Sequence, residues 1–267
     1  MTEEATSLDR WTIAAIAALA WPLADMLHEG GGHGGTALLL GVKASALTSA
    51  YYQYADGAAT VQQARLIAAG GAVLNVIVGL PMVALSRARL PSRLRFFVWL
   101  FAAYNLLTAF GYLCYSGVAG IGDFAAVIDG VPHAHLWRVV EIVAGVLLYF
   151  VAAPALLWPG LRPFVGAGAD REARARTLTL VPYLAGGVTS VLSGALNPLG
   201  VRIMLISSVA AAFGGTSLLA WYFPVRAERQ PAGAPPALGI ARGNGWLVAA
   251  AIAVAVFIGV FGRGLRF

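Results

Sequence analysis

Charge is what this sequence has least of. Asp, Glu, Lys and Arg make up 11% of it, less than half of the roughly 25% usual in a globular chain. Set against 59% hydrophobic residues, so little charge excludes an ordinary water-soluble domain. Cysteine occurs once, at Cys114, which excludes an intrachain disulfide and a zinc cluster built on thiolates. The opening MTEEATSLDR brings Glu3, Glu4 and Asp9, not the basic stretch that begins a cleaved signal peptide. The first apolar run is therefore expected to stay in the mature protein. No internal repeat stands out, and the last three apolar runs are almost without ionisable residues, Arg202 lying at an end.

What is present is a series of apolar runs near 20 residues, the length that crosses a bilayer. Seven are expected, roughly at 11–27 (continuing towards 42), 64–85, 96–118, 139–158, 178–196, 203–223 and 246–261. The expected fold is all-α, a polytopic helical membrane protein of about seven spans. The net charge of +6 points to topology and not to nucleic acid. Arg87, Arg89, Arg93 and Arg95 follow the second run; Arg162, Arg171, Arg174 and Arg176 follow the fourth; Arg226, Arg229 and Arg242 follow the sixth. Connectors after odd runs hold few: Lys43 and Arg65, Arg138, and Arg202. By the positive-inside rule the N-terminus and the Arg-rich connectors are expected in the cytoplasm of an integral, multi-pass protein. Every histidine precedes residue 160. The chain is accordingly read as a metal-binding four-span part, 1–160, and a three-span part, 161–267, giving support or substrate access.

The chemistry gathers in LHEGGGHGGTALLLG, residues 27–41. Asp25, His28, Glu29 and His33 fall within nine residues of an otherwise apolar segment; ionisable groups are costly there and by default mark function. In H-E-x-x-H, two histidines four apart share one helix face and bind one zinc, with the Glu beside the metal's water. Here the spacing is five, which on a regular helix turns the histidines about 140° apart. A π-bulge, with i→i+5 bonding, takes up one inserted residue, and the insertion falls within Gly30-Gly31-Gly32, where glycine tolerates an altered backbone. A short unwound break is the other way to absorb it. The plain alternative is a polar pair at a helix end beside a glycine packing surface.

A catalytic zinc takes three protein ligands and keeps an open position. His28 and His33 supply two. Asp123, in YSGVAGIGDFAAV, is the leading third, because the first and third spans run in the same direction and end on the same side. Its alternative is a turn or cap residue after Gly122. His133 and His135, in VPHAHLW, lie in the same connector; extended backbone would put both rings on one side, making them alternative ligands, or they are solvated loop residues. Asp25 is placed to orient the His28 imidazole. Glu141, opening the fourth span, is a supporting carboxylate or an interfacial charge.

These residues resemble the site-2 protease family of intramembrane zinc metalloproteases. The helix-borne His-Glu-His followed by an apolar run carries the likeness, as do AAGGAVLNVIVGLP (68–81), similar to that family's AGP-x-x-N segment with Asn75 as its Asn, and the stretch from Asn105-Leu106-Leu107 to Gly122-Asp123, similar to its Asn-Leu-Leu … Asp-Gly segment. Coverage is about residues 20–125. The chain departs from the pattern in the longer first motif, in Gly71-Ala72 where Gly-Pro would stand, and in Phe124 after Asp123. LNPLG (196–200) is similar to an Asn-Pro-Asp-Gly form, but Leu199 stands at the Asp position, so Asn197-Pro198 is read as a turn.

The resemblance implies one zinc held by His28, His33 and Asp123, Glu29 as general base, and Asn75 donating to substrate or oxyanion. It implies hydrolysis of peptide bonds in membrane-associated substrates, with the bilayer as partner. An inactive relative is the alternative that the departures allow. Two further functions compete: a membrane zinc hydrolase of a lipid amide or ester, using the same residues, and a non-enzymatic metal-binding or transport protein.

Overall fold

The computed structural model describes residues 6–228 and 237–267. Glu3, Glu4 and Arg229, used in the charge argument, lie outside them. The fold is all-α, 74% helical, with seven helices among the described residues long and apolar enough to cross a membrane: Arg10–Leu39, Val61–Leu85, Ser92–Ala119, Ala134–Val165, Arg171–Gly194, Val201–Ala227 and Asn244–Phe261. They are spans 1 to 7 below.

Several spans begin or end where local chemistry says they should. Asp9 caps span 1, its carboxylate accepting from Thr12 N at 2.7 Å and from the Thr12 hydroxyl at 2.6 Å, so two donors are satisfied by one side chain. Span 2 opens with a capping box, Thr60 and Gln63 each bonding the other's backbone N–H. Span 3 stops at Gly120, whose φ of 68° is the left-handed turn that a glycine C-terminus supplies.

Between spans the contact surfaces are small residues, as expected where lipid is as apolar as the helix faces and only close packing holds them. Span 2 turns Gly71, Asn75 and Gly79 inwards, one position in four, and leaves Val73, Ile77 and Leu80 outwards. A Cβ on Gly79 would stand 2.8 Å from Leu106, so span 3 needs a glycine there. Span 3 is the most buried. Its side chains tie to neighbours: Trp99 Nε1–H donates to Leu157 O at 2.9 Å and Tyr104 Oη to Pro182 O at 2.8 Å. One apolar core runs through the bundle, including Ile13, Ala72, Leu106, Tyr149, Leu178, Phe223 and Phe257 from the seven spans in turn.

The two ends differ. At one, Arg174 is buried and donates to three carbonyls, of Phe164, Thr6 and Leu238. Counted above as a topological charge, it also fastens three separate segments. At the other end lies a small sheet that the periodicity did not announce. β1 (Ala44–Leu47) pairs antiparallel with β2 (Tyr52–Tyr54) and, on its other side, with β3 (Leu265–Arg266) near the C-terminus. Strands this short show no readable alternation, and β3 finds its partner more than two hundred residues away. Asn197 and Ser193 lash the sheet's turn to span 5, through Thr48 at 3.2 Å and Ser49 at 2.7 Å. Asn197 Oδ1 also accepts from Leu199 N at 3.0 Å, the turn bond expected of Asn197-Pro198.

Candidate metal centre

Span 1 changes its winding at the motif. Leu27–Gly34 is π-helical over eight residues, with the N–H of Gly35 reaching back to Gly30 O. In i→i+5 winding, residues five apart come round to one side, and the His28 and His33 rings meet edge to face, 4.8 Å between centroids. The inserted residue is absorbed by two turns of altered helix, longer than a single bulge.

Close approach of span 2 explains the glycines. A Cβ on Gly32 would run into Gly71 Cα and stand 2.7 Å from Gly70 O. A Cβ on Gly71 would stand 2.6 Å from His28 Cε1 and 2.7 Å from Nε2 of both His28 and His33. Backbone therefore lies directly against both imidazoles, leaving no room for a side chain at either position.

Asp123 opens the short helix Asp123–Ile128, after Gly122 at φ 88°. No side-chain capping bond forms there; the carboxylate turns to the histidines instead. Asp123 Oδ2 lies 3.1 Å from His28 Nε2 and 3.5 Å from His33 Nε2, and the two Nε2 atoms are 3.2 Å apart. His33 Nδ1–H donates to Ile67 O at 2.7 Å, because a carbonyl can only accept, and in the neutral ring this leaves Nε2 as a lone-pair donor to a metal. Burial alone would raise the Asp123 carboxyl, but His33 and His28 beside it outweigh that and hold it well below the usual carboxylate range. It is therefore ionised. When metal binding displaces the ring protons, two imidazole nitrogens and one carboxylate oxygen offer lone pairs to a single point.

The triangle's edges can be compared with coordination geometry. Ligands about 2.0–2.1 Å from a tetrahedral zinc stand roughly 3.3–3.4 Å from one another. Edges of 3.1, 3.2 and 3.5 Å fit that ion with small adjustments. Glu29 belongs to the same buried group: its carboxylate and the two imidazoles lie within 4.8 Å of one another and could hold a metal. The Tyr52 N–H, on an edge strand, faces this carboxylate.

The site opens on a pocket of about 410 Å³ whose lining includes Glu29, His33 and Asp123, the tyrosines 51, 52 and 54 from the hairpin, and Ser207 from span 6. Behind the histidines is a second cavity of about 20 Å³, lined by Trp21, Asp25, His28, Glu29, Asn75 and Tyr112 among others. Glu29, Tyr112 and Ser207 line both. Residues after 160 thus share in the site together with the four-span part.

The remaining candidates are placed as follows. Asn75 is 1% exposed and lines the inner cavity, its Oδ1 unpartnered among the described residues. Asp25 lines it too, but Asp25 Oδ2 and His28 Nδ1 each lack a hydrogen-bond partner there; the direct bond expected between them is not formed. His133 and His135 are exposed, 6.2 Å between rings, and line neither cavity. Glu141 is buried at the start of span 4 and also lines neither. Tyr112, with its ring 5.6 Å from that of His28, the hairpin tyrosines and Ser207 were not anticipated. Only YYQY (51–54), with Tyr52 and Tyr54 on one side of a strand, carried any signal.

Comparison with family models, with curated proteins and with solved structures finds no match. The functional reading therefore rests on the residues.

Proposed function

We propose that this chain is a membrane-embedded zinc metallopeptidase. The observation that carries the reading is the triangle of His28, His33 and Asp123 donors at zinc-ligand spacing, beside Glu29 and open to a pocket. Asp123 is the third ligand in preference to Glu29, because it stands nearer both imidazoles and makes no other hydrogen bond among the described residues. Zinc held there supplies Lewis acidity, polarising a carbonyl and bringing the pKa of a water beside it towards 7. Glu29, left free of ligation, takes the proton of the attacking water and hands it to the departing nitrogen. β2, whose Tyr52 N–H faces Glu29, is an edge strand of the kind to which an extended peptide adds, which favours a peptide substrate. The likeness of the motifs to site-2 proteases points the same way.

A second reading has its own observation. An apolar groove of about 460 Å³ between spans 3, 4 and 6, lined by Phe150, Ala210 and Gly214 among others, shares Tyr112 and Tyr115 with the lining of the outer pocket. It would suit the chain of a lipid amide or ester.

The deciding experiment measures zinc content and turnover of a single-span peptide and of a lipid amide by wild type and Glu29→Gln. The expected result is one zinc in both proteins, with peptide cleavage slowed at least about 100-fold in Glu29→Gln. Unchanged cleavage would remove Glu29 as base, and turnover of the lipid alone would select the second reading. We further propose that the Arg-rich connectors face the cytoplasm. In a Cys114→Ser background, an impermeant thiol reagent should then label Pro132→Cys and spare Ala173→Cys in intact cells; the reverse pattern inverts the molecule.

A further inference from the structure

Five residues that line the inner cavity each carry a buried polar atom with no hydrogen-bond partner among the described residues: Trp21 Nε1, Asp25 Oδ2, His28 Nδ1, Glu29 Oε2 and Asn75 Oδ1. One such atom costs about 1–3 kcal/mol, so five around one space need a common explanation. The space, about 20 Å³, holds one water and no more.

Donor and acceptor counts fit that occupant. The indole of Trp21 can only donate. His28 Nδ1 also donates when Nε2 is the metal-facing atom, since the neutral ring carries its proton on the other nitrogen. Asp25, Glu29 and Asn75 each present an oxygen that accepts. A water accepts two hydrogen bonds and donates two, so it matches both donors and two of the three acceptors. Ser207, also on the wall, is already engaged, donating to Ala50 O at 3.0 Å. Asp25 precedes His28 by three residues, and the winding changes between them at Leu27. Carboxylate and imidazole line the same cavity with no hydrogen bond from His28 Nδ1 or Asp25 Oδ2 among the described residues.

We infer that a single water bound in this cavity bridges Asp25 to His28 Nδ1–H, making Asp25 a positioning residue for the metal centre. It fixes the ring's tautomer and orientation through the water, as partners on the far nitrogen of metal-bound histidines do directly. The same water touches Glu29 Oε2, so the base and the ligand are aligned by one molecule. The inference rests on His28 being a zinc ligand.

The test titrates zinc, against a competing chelator, into the metal-stripped full chain in detergent. It compares wild type, Asp25→Ala, Asp25→Asn, Trp21→Phe and His28→Ala, and records the thermal midpoint of each metal-free protein. Asp25→Ala should weaken zinc about 10- to 100-fold, Asp25→Asn, which keeps an acceptor oxygen, should return it to within about threefold of wild type, and Trp21→Phe should cost about threefold. Wild-type affinity in Asp25→Ala, with zinc lost in His28→Ala, overturns the inference and leaves the metal site standing. Undiminished zinc in His28→Ala overturns the site itself, and the inference with it. Equal weakening by Asp25→Ala and Asp25→Asn, which share only the loss of charge, assigns the effect to the carboxylate's charge and not to an acceptor for the water, and also overturns it. Should Asp25→Ala fail to fold, Trp21→Phe decides: affinity equal to wild type removes the water.

Discussion

Two pairs of histidines separate what spacing suggests from what a fold makes of it. His133 and His135, two apart, have the spacing that puts side chains on one side of extended backbone. His28 and His33, five apart, have the spacing that a regular helix sends to opposite sides. The structure follows neither spacing. Span 4 begins at Ala134, and His133 sits before it in left-handed backbone at φ 58°, so its neighbour is not in a strand at all and both rings face outwards. At His28 and His33 the helix is rewound until the rings converge. Spacing is informative only once the winding is known, and at His28 and His33 the altered winding lies against another span.

That contrast can be broken most directly by removing ligands. His28→Ala, His33→Ala and Asp123→Ala should each strip bound zinc from the purified protein, a loss well beyond 100-fold in affinity, because three donors share the ion. His133→Ala and His135→Ala should keep a full equivalent. Metal analysis after dialysis measures all five. Zinc retained by Asp123→Ala and lost in either His133→Ala or His135→Ala would move the third ligand to the exposed pair and undo the comparison.

The next perturbation tests the wall that span 2 presents. Alanine at Gly71 places a methyl group 2.6–2.7 Å from ring atoms of both histidines. Something must move, and overpacking of this kind costs about 1–3 kcal/mol. If the displaced groups are the imidazoles, zinc should bind roughly 5- to 150-fold more weakly at that cost. The protein should still fold, its span 2 stripe otherwise unchanged. Chelator competition reads the affinity and the metal-free thermal midpoint reads the fold. An unchanged affinity would mean that the backbone at Gly71 yields and the rings do not depend on it.

How much was legible follows from how local each cause is. The spans were readable because crossing a bilayer is a demand on each stretch of about 20 residues separately. His28, Glu29 and His33 were readable because ionisable groups in apolar sequence are conspicuous, and Asp123 because alternation of spans puts it at the same end. Long-range causes hid the rest. Eight residues of π-helix lie against Gly71 of span 2 at Gly32, a contact that no window of sequence contains. The sheet closes on a strand near the C-terminus, and Arg174 is buried by segments distant in sequence. Asp25 shares a cavity with His28, and the three-residue spacing alone did not show that no direct bond joins Asp25 Oδ2 to the ring.

Gly30→Ala is the gentlest test, and it asks what holds the altered winding. Among the three glycines, Gly32 cannot accept a methyl group without colliding with Gly71, and a Cβ on Gly31 would stand 2.9 Å from Leu74. Replacing all three with alanine would therefore lose zinc through packing, whatever the helix preferred. Gly30 is different: its Cβ would meet only Leu47 Cδ2, at an ordinary 3.5 Å. A single alanine there changes backbone preference by about 1 kcal/mol and little else. If the contact between Gly32 and Gly71 holds the π-helix, that preference is overruled. Zinc affinity should then stay within about fivefold of wild type, the factor that 1 kcal/mol represents. A loss as large as that of Gly71→Ala would mean that glycine's own flexibility sustains the winding, and the convergence of His28 and His33 would be a property of their own segment after all.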